Sequence, residues 1–378
     1  STLFTPLFLF WLSKNGGFSN PLKWSVLLLI PIPFHIHLGF DTRSYIISTT
    51  LIFTAWIFLF TALKALQQEA ANLEHVFRIV LMVNFFLTVF AVVGINFNLV
   101  LEVLWDYVYI SPDIILNVRL MMFAYEPSHY ALLLSPIFIF YLLKVLTGQA
   151  KNILILILMV GLPMLLSLSF GVIGAMGIAI IVALAVNIRK LPSKTYRIFI
   201  ISFVALAIGA ILLYLAFPDN LIFVRLKNIA NGEDLSTNGR LQDAFKFAKD
   251  MIVYYQAWFG VGPGQTKLLA HDMFLNFYHN PLEPGLVYRI PNSMGEMLAV
   301  YGIYGVVLKI GFEFFFFFKL KIYKNLYSLT LFIFIFIYQF TGSFLVNIAE
   351  IGIWVLVFRT GFSRFNISQL KTLYLNKR

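Results

Sequence analysis

The chain has 378 residues, 60% of them hydrophobic and only 12% charged, with a mean hydropathy of +0.86. Soluble domains run at about 45 to 50% apolar, so this composition excludes one and specifies a membrane protein. In that setting the net charge of +11 marks cytoplasmic loops rather than a nucleic-acid surface, and the absence of cysteine excludes disulfides, a thiolate nucleophile and Cys-ligated metal.

A helix crosses a hydrocarbon core about 30 Å thick with roughly 20 mostly apolar residues. On that measure about eleven spans are predicted, at residues 2–12, 24–38, 45–63, 77–98, 129–146, 152–169, 170–188, 198–217, 292–318, 326–341 and 343–358. The first is short and has no basic leader before it, so no cleavable signal is expected. The second carries Pro31 and Pro33 and is expected to kink. Basic residues alternate along the chain at Lys14/Lys23, Lys64/Arg78, Lys144/Lys151, Arg189 to Arg197, Lys319 to Lys324 and the tail from Arg359, which assigns these clusters to the cytoplasm. Residues 102–128 and 218–291 then fall together on the opposite face. The predicted fold class is all-α: a polytopic helical bundle forming a single integral membrane domain over 1–378, with 218–291 as one large external loop.

In residues 102–128, Arg119 stands seven positions before Glu126. Pro127 suits the first turn of a helix because its missing N–H would be unpaired there anyway. The free N–H groups around Ser128 and His129 would then form a helix end that favours an anion. Glu126 is a candidate general base, and Arg119 a phosphate clamp or the partner that keeps Glu126 ionised. The structural alternative is an acidic helix start with a salt bridge.

The long loop holds a second constellation. Leu241, Ala244, Phe245, Ala248, Met251 and Ile252 recur at helical spacing, predicting a helix over 240–252 capped by Asn238 or Thr237. It is expected to lie on the membrane surface with Arg240, Lys246 and Lys249 toward headgroups or substrate. Arg225 and Arg240 could neutralise a pyrophosphate, or contact lipid headgroups. The glycines of FGVGPGQT at 259–266 lack the strand before and the lysine after that a phosphate-binding loop requires, so a tight turn back to the membrane is expected. His271, Asp272, His279 and Glu283 do not match a zinc-helix spacing, and no metal or other cofactor is expected. His279 or His271 is a candidate proton shuttle. Inside the spans, Asn84, Glu296, Glu313, Gln339 and Glu350 are costly unless paired or facing a cavity, and Glu296 lies one turn beyond Asn292.

Four stretches resemble a known family. RLMMFAYEPSHYA at 119–131 is similar to the R…F.EPS…A signature of Wzy-type O-antigen and capsular polysaccharide polymerases. LSLSFG at 166–171 resembles the serine-rich turn between two helices in the same superfamily. NGRLQDAF…WFGVGPG at 238–264 resembles its large periplasmic loop, and IPNSMGEMLAVYGIYG at 290–305 its segment that re-enters the membrane. Together they cover most of residues 115–310 in the family's order.

The resemblance implies a type C glycosyltransferase fold that works without a metal on undecaprenyl-pyrophosphate-linked glycans, at the periplasmic face of a bacterial inner membrane. For that reaction Glu126 is the candidate base, with His279 as runner-up. Arg119, Arg225 and Arg240 would be pyrophosphate ligands, and Ser128, His129 and Asn292 further substrate contacts. Membrane lipids, a chain-length regulator and a flippase are the implied partners. The related O-antigen ligases carry an arginine where this chain has Phe170 and a histidine where it has Pro291, which favours a polymerase. A ligase onto lipid A core or onto protein, and a polysaccharide or lipid transporter, are the alternatives.

Overall fold

The structure is a computed structural model, and it describes residues 5–15, 19–38, 41–68, 73–108, 117–191, 193–270, 273, 289–359 and 361–370. Lipid offers no hydrogen bonds to a bare backbone, so apolar runs of this length must pair their polar groups internally. The described residues accordingly form helices almost throughout. In chain order these are α1 (Thr5–Lys14), α2 (Ser19–Leu29), α3 (Ile32–His37), α4 (Thr42–Gln68), α5 (Leu73–Val93) and α6 (Asn98–Leu104). A hairpin of β1 (Trp105–Val108) and β2 (Asn117–Leu120) follows. Then come α7 (Pro127–Leu146), α8 (Ile153–Leu166), α9 (Phe170–Val186), α10 (Ser193–Ala216) and α11 (Leu221–Asn231). The remainder comprises α12 (Leu235–Asn238), a π-turn (Gly239–Asp243), α13 (Ala244–Tyr254), α14 (Thr266–Leu269), α15 (Ser293–Lys319), α16 (Leu326–Tyr338) and α17 (Ile348–Phe358).

Among the described residues five stretches are long and apolar enough to cross a membrane: Thr42–Gln67, Leu73–Val93, Pro127–Leu146, Thr195–Ala216 and Ser293–Lys319. The helices α8, α9, α16 and α17 are apolar but shorter. The chain is therefore an all-α membrane protein.

Three local expectations are corrected. Residues 24–38 are not one kinked helix but two short ones, because Pro31 and Pro33 each remove a backbone donor and α3 restarts with Pro31 as its N-cap. The segment 102–128 holds a two-stranded antiparallel ladder with Asp106 opposite Arg119. Its corner is anchored by buried Trp105, whose Nε1 donates to the Ala91 carbonyl at 3.1 Å. The helix predicted at 240–252 begins earlier, at Leu235, and runs through the π-turn into α13. Asn238 is itself helical and makes no capping bond. Nor is α13 a surface helix alone: Ala244, Phe247, Ala248, Met251 and Ile252 are buried, and α13 packs on α15.

The chain divides into two compact units. One comprises Ser1–Gln68, Leu235–Lys321 and Tyr338–Arg359; here α4 packs against α1, α2 and α17, and α13 against α15. The other comprises Glu69–Asp234, Ile322–Ile337 and Thr360–Arg378, and is built around α7, which packs on α8, α9 and α10. In this second unit Glu74 receives both Lys144 (3.1 Å) and Arg364 (2.8 Å).

Candidate functional site

In the second unit, two of the predicted cations gather on one helix turn. The chain leaves α8 at Ser167 and enters α9 at Phe170, with Leu168 held at φ +48, a strained conformation for a residue with a γ-branched side chain. Arg119, on β2, donates through Nε to the Ser167 carbonyl at 3.1 Å and through Nη2 to Ser169 Oγ at 3.5 Å. Arg225, on α11, lies with its guanidinium 5.3 Å from the centre of the Phe170 ring. Its Nε donates to Asp234 Oδ2 at 3.3 Å. That pairing rests on the ends of α11: Asn220 accepts from the Ile222 N–H at 3.0 Å to start the helix, and Gly232 ends it at φ +75, turning the chain so that Asp234 comes back to Arg225. Ser169 caps α9 without a side-chain bond to it. The Phe170 N–H is taken by the Leu168 carbonyl at 3.2 Å, and the start of α9 beyond it meets two guanidinium groups on one short stretch, an arrangement suited to an anion.

Glu126 stands at the start of α7 as expected. It is extended (φ −156, ψ 155), as the residue before a proline prefers, and Pro127 opens the helix. Its carboxylate Oε1 accepts a short 2.5 Å bond from Ser128 Oγ. The expected pairing with Arg119 is not among the ion pairs of the described residues. His129 stacks near Tyr125, ring centres 4.5 Å apart, and its buried Nδ1 has no partner. Asn84 is held by Tyr130, whose hydroxyl donates to Asn84 Oδ1 at 2.9 Å.

In the first unit, α15 is broken at Gly302 (φ 62, ψ −158). Lys309 Nζ reaches Ser293 Oγ at 2.8 Å. A straight helix would separate those residues by about 24 Å, so the two halves fold toward each other. The loop of three glycines makes the break possible. Val261 and Gly262 donate their N–H groups to the carbonyls of Ala299 (2.9 Å) and Val300 (3.0 Å), acceptors that the break would otherwise leave open. A Cβ on Gly302 would overlap the Trp258 carbonyl, and one on Gly260 the Val300 carbonyl. The front of the half-helix is tied equally well. Asn292, fully buried, accepts from the Gly295 N–H (2.5 Å) and donates to the Arg240 carbonyl (2.5 Å), while Ser293 and Met294 donate to the carbonyls of Gly342 and Gln339. Both ends of the Asn292 amide are therefore used inside the chain.

Beside this half-helix lies a cavity of about 320 Å³, lined in part by Ser48, Thr266, Lys267, Arg289 and Glu296. Thr266 Oγ1 is buried there without a partner. Glu296 accepts from the Leu345 N–H at 2.6 Å, and Arg289 lies over the Phe344 ring at 5.4 Å. Two cations, a carboxylate and a spare hydroxyl around one space can hold a phosphorylated or hydroxylated ligand. Sequence reasoning singles out Glu296 and the LSLSFG turn that holds Ser167, but not Lys267, Arg289 or Asp234. The only signal for Arg289 is its place just before IPNS.

His279, and with it His271, Asp272 and Glu283, lies outside the described residues. Among the described residues no group of three or more His, Cys, Asp or Glu side chains could hold a metal. The chain matches no protein-family model, and no curated protein matches it. What fold and site define together is an all-α membrane protein with two arginines on one interhelical turn and a second, broken-helix centre in its other unit.

Proposed function

We propose that the protein is a polysaccharide polymerase of the Wzy type, joining undecaprenyl-pyrophosphate-linked repeat units at the periplasmic face of the bacterial inner membrane. The observation that carries this reading is the convergence of Arg119 and Arg225 on the Ser167–Phe170 turn. A glycan leaving a lipid pyrophosphate needs fixed positive charge where the phosphate oxygens separate, and two guanidinium groups beside a helix start supply it. In the reaction a hydroxyl of the incoming unit attacks the anomeric carbon of the growing chain. The new bond is that C–O bond, the bond broken joins the anomeric carbon to the pyrophosphate, and the hydroxyl proton passes to Glu126. The bond from Ser128 keeps Glu126 oriented for this. Charge stabilisation and alignment act on an already good leaving group. About eleven spans and a type C glycosyltransferase architecture belong to this same reading, as do a flippase and chain-length regulator as partners.

The test is extension of defined lipid-linked repeat units by purified protein in nanodiscs. Wild type should form long glycans, and Arg119→Ala, Arg225→Ala and Glu126→Gln should each lose at least about 100-fold in rate. No product from wild type with its cognate substrate sinks the function. Full activity in all three variants sinks the site. A second reading, a polysaccharide or lipid transporter, is favoured by the break in α15 beside buried charges, since broken helices often line transport sites. Uptake of intact lipid-linked units into sealed vesicles without any chain growth would decide for it.

A further inference from the structure

The most costly side chains of the first unit lie within and beside α15. Glu313 and Glu350 are each 4% exposed and Gln339 is fully buried, in a setting where an uncompensated charge is expensive. Glu350 has a cation beside it, although its Oε2 is buried without a partner. Lys309 Nζ donates to its Oε1 at 3.0 Å, and Trp354 Nε1 adds a longer bond of 3.4 Å to the same atom. That is one cation for one carboxylate.

Glu313 has an amide for a partner instead: Gln339 Nε2 donates to its Oε2 at 3.0 Å. The atoms left over on these two groups are Glu313 Oε1 and Gln339 Oε1, both buried and both without a hydrogen-bond partner. Each is an acceptor. An ionised Glu313 would therefore leave two buried acceptors unpaired on groups that already touch, and would add a second negative charge to a cluster with one lysine. Both oxygens are buried too completely to admit a water or a metal ion. A proton needs no such space. Turning the Gln339 amide end for end moves the requirement to the other Glu313 oxygen but does not remove it.

We propose that this cluster is a proton-binding site: Glu313 carries one proton on Oε1 and donates it to Gln339 Oε1, closing a cyclic acid–amide pair with the bond already present. One proton then satisfies both orphaned oxygens and leaves Lys309 and Glu350 as a balanced pair. The charged groups that act on Glu313 are Lys309 and Glu350. Glu296, farther along α15, is occupied by the Leu345 N–H, with Arg289 acting on it. Across an adjoining cavity of about 180 Å³, α2 and α4 present apolar side chains such as Trp24 and Trp56. Losing the proton would make Glu313 a rival for Lys309, which also holds Ser293 on the half-helix, so proton occupancy is linked to the fold-back of α15.

The test is infrared spectroscopy of the full chain in lipid nanodiscs at neutral pH, reading the C=O stretch of protonated carboxyl groups. Wild type should show such a band. Glu313→Gln should abolish it, Glu350→Gln should retain it, and Gln339→Leu should shift it to higher frequency by removing its hydrogen-bond partner. No band in wild type, or one that persists in Glu313→Gln, overturns the proposal. So does a band that appears only when sodium is replaced by choline, because the occupant would then be a metal cation. Should Glu313→Gln fail to fold, an unshifted band in Gln339→Leu is enough to overturn it.

Discussion

Helix α7 carries a proline in its interior and continues; α15 carries a glycine in its interior and folds back. From residue propensities alone the opposite is expected, since proline costs a helix about 3 kcal/mol and glycine about 1. The difference lies in who takes the freed carbonyls. Pro136 cannot donate to the Leu132 carbonyl, but Ser135 Oγ does so at 2.8 Å, so α7 loses little. At Gly302 the backbone of residues 258–262 lies against the helix, excludes any Cβ, and offers two N–H groups to the carbonyls of Ala299 and Val300. A helix breaks where the surrounding chain offers its backbone better partners, and persists where a neighbouring side chain stands in.

The comparison can be broken most severely at Gly302. Gly302→Val puts a branched side chain into the Trp258 carbonyl and into a backbone conformation that only glycine adopts readily. A loss of about 4 kcal/mol or more is expected, visible as a collapse of the thermal transition in detergent. Lys309→Met comes next. It strands the Glu350 carboxylate in the interior and releases Ser293, for an expected loss of about 3 kcal/mol, and Lys309→Met with Glu350→Gln should recover most of it. If the double variant is no more stable than the single, the pair is not what holds the fold-back.

In α7 the effects are smaller. Ser135→Ala leaves the Leu132 carbonyl open and should cost about 1 kcal/mol, whereas Ser135→Ala with Pro136→Ala restores a backbone donor and should cost almost nothing. Equal losses in both would refute the role given to Ser135. The smallest effect concerns Asp41, which with Gln265 latches the glycine loop: the Asp41 N–H donates to Gln265 Oε1 at 3.0 Å, and Gln265 Nε2 to the Asp41 carbonyl at 3.1 Å. Hydrogen bonds from the Ser44 side chain and N–H hold the Asp41 carboxyl below its ordinary value. A lowered folded-state value means that its stabilisation is present above the ordinary carboxylate range and is lost as pH falls through the lower value. Melting temperatures of wild type and Asp41→Asn should therefore differ slightly at neutral pH and converge in acid; a gap that persists in acid would refute the assignment.

Much of the helical architecture is legible in the residue order. Five of the predicted apolar spans, Pro127 as a helix start and the buried stripe of α13 are local signals that appear among the described residues close to where the sequence puts them. The candidate site is legible in part. Arg119 and Arg225 stand out as arginines in polar stretches on one inferred face, and LSLSFG as a serine-rich turn, yet their pairing does not, because Ser167 and Ser169 lie about fifty residues from Arg119 and nothing in either stretch marks the other. Asn292 reads as a substrate contact in the sequence, whereas its neighbours in space use both ends of its amide. The β1–β2 ladder escapes sequence reasoning because two four-residue strands carry too little alternation to register between apolar helices.

Composition and periodicity by themselves determined that this is an all-α membrane protein, and where most of its helices lie, because lipid permits a long apolar segment few other ways to pair its backbone. Only the tertiary structure decided that Gly302 breaks a helix while Pro136 does not. It alone brought two arginines onto one turn and left Glu313 and Gln339 each with a buried oxygen that lacks a partner. Those outcomes depend on which groups distant in sequence supply donors and acceptors to one another, and that is a property of packing rather than of local residue order.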